Sequence, residues 1–286
     1  MIVLRTVREL REAVRAARTR GERIALVPTM GALHEGHLTL MRRAREHCDF
    51  VVVSLFVNPA QFTVAADLAW YPRDEVRDAR LAESAGASVL FAPAVGEVYP
   101  DGFATSVEVA GLSAPLEGEA RGTQHFRGVA TVVTKLLNMA QPDEAFFGQK
   151  DAQQALIIRR LVRDLNLPVR VEICPTVREP DGLAMSSRNA LLDAEGREKA
   201  TTLSRALFAV ERAAAGGERH AEEALEAGRA ILSQEGIFPE YFAAVDPNTL
   251  APVASLEGGT LIAIAARVGS VRLIDNVTIG TRRAVE

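Results

Sequence analysis

Ile24-Ala25-Leu26-Val27-Pro28-Thr29-Met30-Gly31-Ala32-Leu33-His34-Glu35-Gly36-His37-Leu38 carries the decisive pattern of the chain. Its first four residues form a short continuous apolar run, the mark of a strand buried on both faces. Beyond His37, Leu38, Leu40, Met41 and Ala44 recur at helical spacing and predict an amphipathic helix over Leu38–His47. Strand, glycine-containing turn and helix therefore follow one another. The same alternation extends outward in both directions. Phe50–Val57, Val89–Ala92, Ala145–Phe147 and Val169–Ile173 read as further buried strands. Val7–Arg20, Asp74–Ala85, the stretch after Arg127 and Asp151–Leu165 read as helices. Repeated βαβ units imply an α/β protein whose N-terminal domain, residues 1–178, is a Rossmann-like parallel sheet covered by helices.

The pattern changes where Pro175, Pro180 and Gly182 interrupt the periodicity. Two Ala/Glu/Arg-rich helices, Ala194–Ala215 and Ala221–Glu235, precede strand-like Tyr241–Val245, Leu261–Ala266 and Val271–Ile274. Residues 179–286 are thus expected to form a smaller α+β domain. With 286 residues, 48% of them hydrophobic, the chain can bury a large core. A net charge of −4 and a pI near 5.9 offer no basic footprint for nucleic acid or an anionic membrane, so the expected partners are small molecules. Cys48 and Cys174 lack metal-ligand spacing and are too few for a disulfide framework, which fits a reducing cytoplasm. No apolar run is long enough to cross a bilayer, and the charged N-terminal segment reads as neither signal peptide nor anchor.

Ligands of parallel α/β sheets bind beyond the carboxyl ends of the strands. There, Gly31 and Gly36 allow close backbone approach, while His34 and His37 stand where a helix N-terminus presents unpaired N–H groups and partial positive charge. Two of the five histidines at this turn suit an anion such as phosphate; a zinc site would need a third ligand that the neighbourhood does not offer. After the second strand comes Asn58-Pro59-Ala60-Gln61-Phe62, and after the fourth Gly148-Gln149-Lys150-Asp151-Ala152-Gln153-Gln154. The amides of Gln61 and Gln154 could hold the hydroxyl and carboxylate of a small hydroxy acid; capping a loop is the other use of either. Among 33 basic residues only Lys135, Lys150 and Lys199 are lysine. A cation at a helix N-terminus is electrostatically misplaced unless it meets an anion, which singles out Lys150. Ser186, Ser187 and Arg188 make either a phosphate clamp or a helix cap. Neither a Walker A sequence nor the Gly-x-Gly-x-x-Gly fingerprint occurs, so a different phosphate-binding design is required.

His-x-Gly-His followed by Met-Ser-Ser-Arg resembles the HxGH and KMSKS-type pair of the nucleotidyltransferase superfamily. Longer segments narrow the match: PTMGALHEGH at 28–37, FVNPAQF at 56–62, HFRGVATVVTKL at 125–136, FGQKDAQQ at 147–154, VREPDGLAMSSRN at 177–189 and RLIDN at 272–276. In order and along nearly the whole chain, they closely resemble the pantothenate synthetase family. The resemblance implies ATP-driven condensation of pantoate with β-alanine, giving AMP and pyrophosphate through an acyl-adenylate, with Mg²⁺ and in a cytoplasmic homodimer.

Carried over by that resemblance, catalytic and phosphate contacts fall on His34, His37, Lys150 and Arg188, with Ser186 and Ser187 beside them. Nucleotide contacts fall on the turn Met30, Gly31, Ala32, Leu33, Glu35 and Gly36, on Gly148, Gln149 and Asp151, and on Val177 and Met185. Pantoate contacts fall on Gln61 and Gln154. The smaller domain is expected to act as a lid that brings Arg188 to the phosphates when ATP binds. Three segments depart from the family pattern. Gln149 replaces the usual glutamate, Thr63–Trp70 lacks the usual Gly-Pro-Asn-Glu, and Arg121–His125 is one residue longer than the common version. An HxGH adenylyltransferase and a non-catalytic nucleotide-sensing module are the competing readings.

Overall fold

A computed structural model describes residues 1–63, 68, 69 and 71–280. They form two compact units: Met1–Gly148 with Gln153–Cys174, and Gln149–Ala152 with Pro175 onward.

The first unit is built on a six-stranded, wholly parallel sheet. Its strands are β1 (Ile2–Leu4), β2 (Ile24–Thr29), β3 (Phe50–Leu55), β4 (Val89–Phe91), β5 (Glu144–Gly148) and β6 (Arg170–Cys174). They lie in the order β1-β4-β3-β2-β5-β6. Helices α1 (Val7–Thr19), α2 (Glu35–His47), α3 (Glu75–Ser84), α4 (Val95–Val98), α5 (Glu117–Arg121), α6 (Thr123–Ala140) and α7 (Ala152–Asp164) connect them. Val51, Val52, Val53, Val89, Leu90 and Phe91 are fully buried, as strands covered on both faces require. From β2 the chain winds outward through β3 to β4, and later returns to place β5 on the other side of β2. The switch point therefore lies between the carboxyl ends of β2 and β5, where such folds open a crevice.

Local signals explain most boundaries. Thr6 and Glu9 close a capping box on α1, and the Asp74 carboxylate accepts the N–H of Arg77 (3.0 Å) to start α3. Helix α2 begins three residues earlier than expected, so His34 is its cap and His37 lies in its first turn. Strand β3 stops at Leu55 rather than Val57, because Asn58 caps a 3-10 turn at Pro59–Gln61. Strand β1 was not expected; its pairing with distant β4 has no local signature. Cys48 and Cys174 are buried free thiols, pushed by that burial to about 11.

The second unit carries an antiparallel sheet, β7 (Pro239–Val245), β8 (Leu261–Val268) and β9 (Val271–Thr278), in the order β7-β8-β9. Helices α8 (Ala194–Ala215) and α9 (Ala221–Gln234) complete it. Asp193 caps α8 by accepting from Gly196 N–H (2.7 Å). The two helices approach closely at Gly228, where a Cβ would lie 2.6 Å from the Phe242 ring and 2.9 Å from the Ala206 carbonyl. Among the described residues, no helix is long and apolar enough to cross a membrane.

Candidate functional site

In the first unit, β2 delivers the chain to the switch point and the turn Met30–His34 redirects it into α2. Gly31 has φ +91°, and a Cβ there would stand 2.9 Å from both Asp78 Oδ2 and Leu55 Cδ1, so the turn needs glycine. Ala32, at φ 51°, is also left-handed and needs external support. The buried carboxylate of Asp78 on α3 supplies it, accepting the N–H groups of Ala32 and Leu33 at 2.9 Å each. Arg77 donates to the Leu33 carbonyl (3.1 Å), and the Leu33 side chain is buried in the core. Both backbone polar groups of Leu33 are thus engaged by α3. The first N–H groups of α2, those of Glu35 and Gly36, have no acceptor within the helix.

The two half-buried imidazoles stand with ring centroids 4.1 Å apart. The His34 backbone N–H donates to His37 Nδ1 (3.3 Å). A backbone amide can only donate, so Nδ1 is the acceptor and the proton of the neutral imidazole sits on Nε2.

Gln61 is aimed by a second set of bonds whose senses are fixed by backbone groups. Buried Asn58 accepts from Ala60 N–H (3.2 Å) and donates to the Gly128 carbonyl (3.1 Å), so its amide has one orientation. Its Nδ2 then also donates to Gln61 Oε1 (3.0 Å), while the Tyr99 hydroxyl donates to Asn58 Oδ1 (2.8 Å). Burial pushes that phenol up to about 12, so it remains a donor. The Gln61 Nε2 group is left facing Met30, with Sδ at 3.1 Å. His125 donates from Nδ1 to the Gln61 carbonyl (2.8 Å). Helix α6 comes this close only because residue 128 is glycine, since a Cβ there would lie 2.3 Å from the Ala60 carbonyl oxygen. Of the adjacent glutamines on α7, Gln153 is buried and committed to Glu117 N–H and to the Leu112 and Pro115 carbonyls. Gln154 is half-buried in the same unit.

The remaining candidates belong to the second unit, apart from Gly148, which ends β5 in the first. Gln149, Lys150 and Asp151 form a 3-10 turn, with Lys150 half-buried and Asp151 exposed. The Gln149 side chain donates to Asn276 Oδ1 (2.9 Å). Val177 and Met185 face each other across a hairpin, joined by a Met185 N–H bond to the Val177 carbonyl (3.0 Å). Ser186 accepts from the Arg188 N–H (3.2 Å) and caps the short turn Ser187–Leu191. The long helix α8 has its own cap in Asp193. Arg188 is exposed. Of the altered loop Thr63–Trp70, residues 64–67 and 70 lie outside the described residues. In the other altered segment, Gly122 precedes α6 and Arg121 pairs with Glu117.

Compared with known proteins, residues 2–278 match the family model described as pantoate-beta-alanine ligase. The chain belongs to the pantoate–beta-alanine ligase family. It is 52% identical over 277 residues to the pantothenate synthetase of Cereibacter sphaeroides, covering 97% of this chain and 99% of that one. The crystal structure of pantothenate synthetase from Thermus thermophilus superposes with a TM-score of 0.91 at 49% identity, covering 97% and 99%. A pantoate-beta-alanine ligase of Francisella tularensis, solved in complex with beta-gamma ATP and beta-alanine, matches with a TM-score of 0.80 at 33% identity over 99% of both chains.

Within this pantoate–beta-alanine ligase, the first unit brings Met30, Gly31, His34, His37 and Gln61 to one end of the sheet. Asp78, Asn58 and Tyr99 hold them there, and none of the three was singled out from the sequence. Asn58 had a signal, since asparagine before proline favours a turn. Asp78 had only an indirect one, the need of a left-handed Ala32 for outside support.

Proposed function

We propose that this chain condenses (R)-pantoate with β-alanine to pantothenate at the expense of ATP, releasing AMP and pyrophosphate through a pantoyl-adenylate. The whole-length match to the family carries the reading. The paired imidazoles at the first turn of α2, beside the switch point, agree with it.

In the first step a pantoate carboxylate oxygen attacks the α-phosphorus, and the bond from that phosphorus to pyrophosphate breaks. His34, His37, Lys150 and Arg188 stabilise charge on the leaving pyrophosphate, with Ser186 and Ser187 as further donors. Gln61, which presents its Nε2 donor, and Gln154 orient the acid. The turn Met30–Gly36, residues Gly148–Asp151, Val177 and Met185 shape the nucleotide site. Positioning and preorganised charge supply the rate. In the second step the neutral amine of β-alanine attacks the acyl carbon, AMP leaves, and the nitrogen loses a proton to solvent. No covalent enzyme intermediate is needed. Mg²⁺ is proposed to arrive on the ATP phosphates. Among the described residues no group of three or more His, Cys, Asp or Glu side chains could hold it.

Residues 179–286 are proposed to act as a lid when ATP binds, and the protein is proposed to work as a cytoplasmic homodimer; scattering with a non-hydrolysable ATP analogue and light scattering test lid and dimer. Product analysis with and without β-alanine tests the reaction. Amide and AMP formed only in its presence are expected; a dinucleotide product would assign an adenylyltransferase, and binding without turnover a nucleotide sensor.

A further inference from the structure

Arg272-Leu273-Ile274-Asp275-Asn276 takes no part in the reaction described above, yet two of its polar residues, Asp275 and Asn276, are buried in β9. Asn276 donates from Nδ2 to the backbone carbonyls of both Gln149 and Lys150, at 2.9 Å each. Carbonyls only accept, so the amide orientation is fixed, and Oδ1 is left to accept from Gln149 Nε2 (2.9 Å). The base of Asn276 is itself held. Its N–H donates to Asp275 Oδ1 (2.7 Å), and Asp275 takes two bonds from Arg178, at 2.6 and 3.0 Å. Arg178 lies over the Phe208 ring at 4.9 Å and donates also to the Gly182 carbonyl (3.0 Å). One buried strand residue thus grips the main chain on the carbonyl of Lys150 and of the residue before it.

A lysine acts on phosphate as a mobile point charge, and its reach is set by where its backbone is fixed. We infer that Asn276 is a positioning residue for Lys150, with Asp275 and Arg178 as its support. The inference rests on the proposal that Lys150 serves the ATP phosphates. It explains why two adjacent polar side chains are buried in a strand, where an unpaired amide would be costly.

A double-mutant cycle on pantoate-dependent pyrophosphate–ATP exchange tests it. Lys150→Ala is expected to lower the maximal exchange rate about 10²-fold or more. Asn276→Ala is expected to lower it about 10-fold in the native background, with the pantoate KM unmoved, and less than about 2-fold when Lys150 is already alanine. Asn276→Asp, which keeps the shape but replaces both donors by an acceptor, should behave like the alanine variant and serves if that variant fails to fold. Equal losses in both backgrounds, or no loss in folded Asn276 variants, would overturn the inference while leaving the Lys150 reading intact. A harmless Lys150→Ala would overturn both.

Discussion

Two turns that follow parallel strands are held in opposite ways. The turn after β2 is gripped by its N–H groups: Asp78 accepts from Ala32 and Leu33. The turn after β5 is gripped by its carbonyls, through the Asn276 amide. The chemistry each turn carries accounts for the difference. The first carries two imidazoles and bends through two left-handed residues, and a buried acceptor both satisfies its amides and stabilises that bend. On the proposed reading the second presents the Lys150 cation to phosphate, and a carboxylate beside it would pair with the ammonium and compete with that phosphate. A neutral amide fixes the backbone without touching the charge.

The largest expected effect separates chemistry from scaffold at the first turn. His37→Ala removes a half-buried imidazole whose Nδ1 accepts the His34 N–H, so the variant is expected to fold with a small loss at the α2 cap and to turn over about 10²–10³-fold more slowly. Steady-state kinetics with circular dichroism check this; parental turnover in a folded variant would remove His37 from the reaction. Asp78→Asn sharpens the comparison. One amide oxygen can still accept, but the NH₂ group faces a backbone N–H, so stability falls by about 1–3 kcal/mol. Turnover is expected to fall about 10-fold because the His34–His37 turn loses its pin, a displacement of the kind that costs rate. Denaturant titration and kinetics on one preparation read both, and an unchanged rate would show that the turn holds itself.

A third region serves as control, at the amino end of β5. There the buried Glu144 carboxylate meets Arg170, His47 and Arg23. Burial opposes its charge, but the hydrogen bonds from Arg170 and His47 and the nearby guanidinium groups outweigh it and hold the carboxyl below its ordinary 4.5. A lowered folded value means stabilisation that is present above about pH 4.5 and is lost as pH falls through the folded value. Glu144→Gln should therefore cost about 1.5–3 kcal/mol at pH 7, and less in acid. Turnover should change less than about 2-fold, since the residue lies at the opposite strand ends from the His turn. Urea midpoints from pH 3 to pH 7 check it; a loss that does not shrink in acid would contradict the charge assignment.

What could be read from the sequence divides along the line between local and distant causes. Helix α8 was legible to the residue from its own periodicity, whereas its cap is Asp193 and not the serines, of which Ser186 caps the short turn before it. The buried parallel strands were legible as apolar runs, and the His34–His37 turn as a polar interruption where a strand hands over to a helix. Strand β1 was not, since its three residues are ordered by a partner nearly ninety positions away, at Val89–Phe91. Asp78 reads as one more acid on an amphipathic helix, and only the folded chain shows that its carboxylate faces Ala32 and Leu33. The resemblance located Gln61, but the orientation of its amide depends on Asn58, Tyr99 and Gly128, which no spacing rule connects.

The central claim is that the chain activates an acid as its adenylate before any amine is present. Pyrophosphate–ATP exchange in the absence of β-alanine measures that step alone. Exchange that depends on pantoate and falls about 10²–10³-fold with His37→Ala is the predicted result. A protein that makes the amide yet shows no pantoate-dependent exchange, or that exchanges equally well without pantoate, would contradict it.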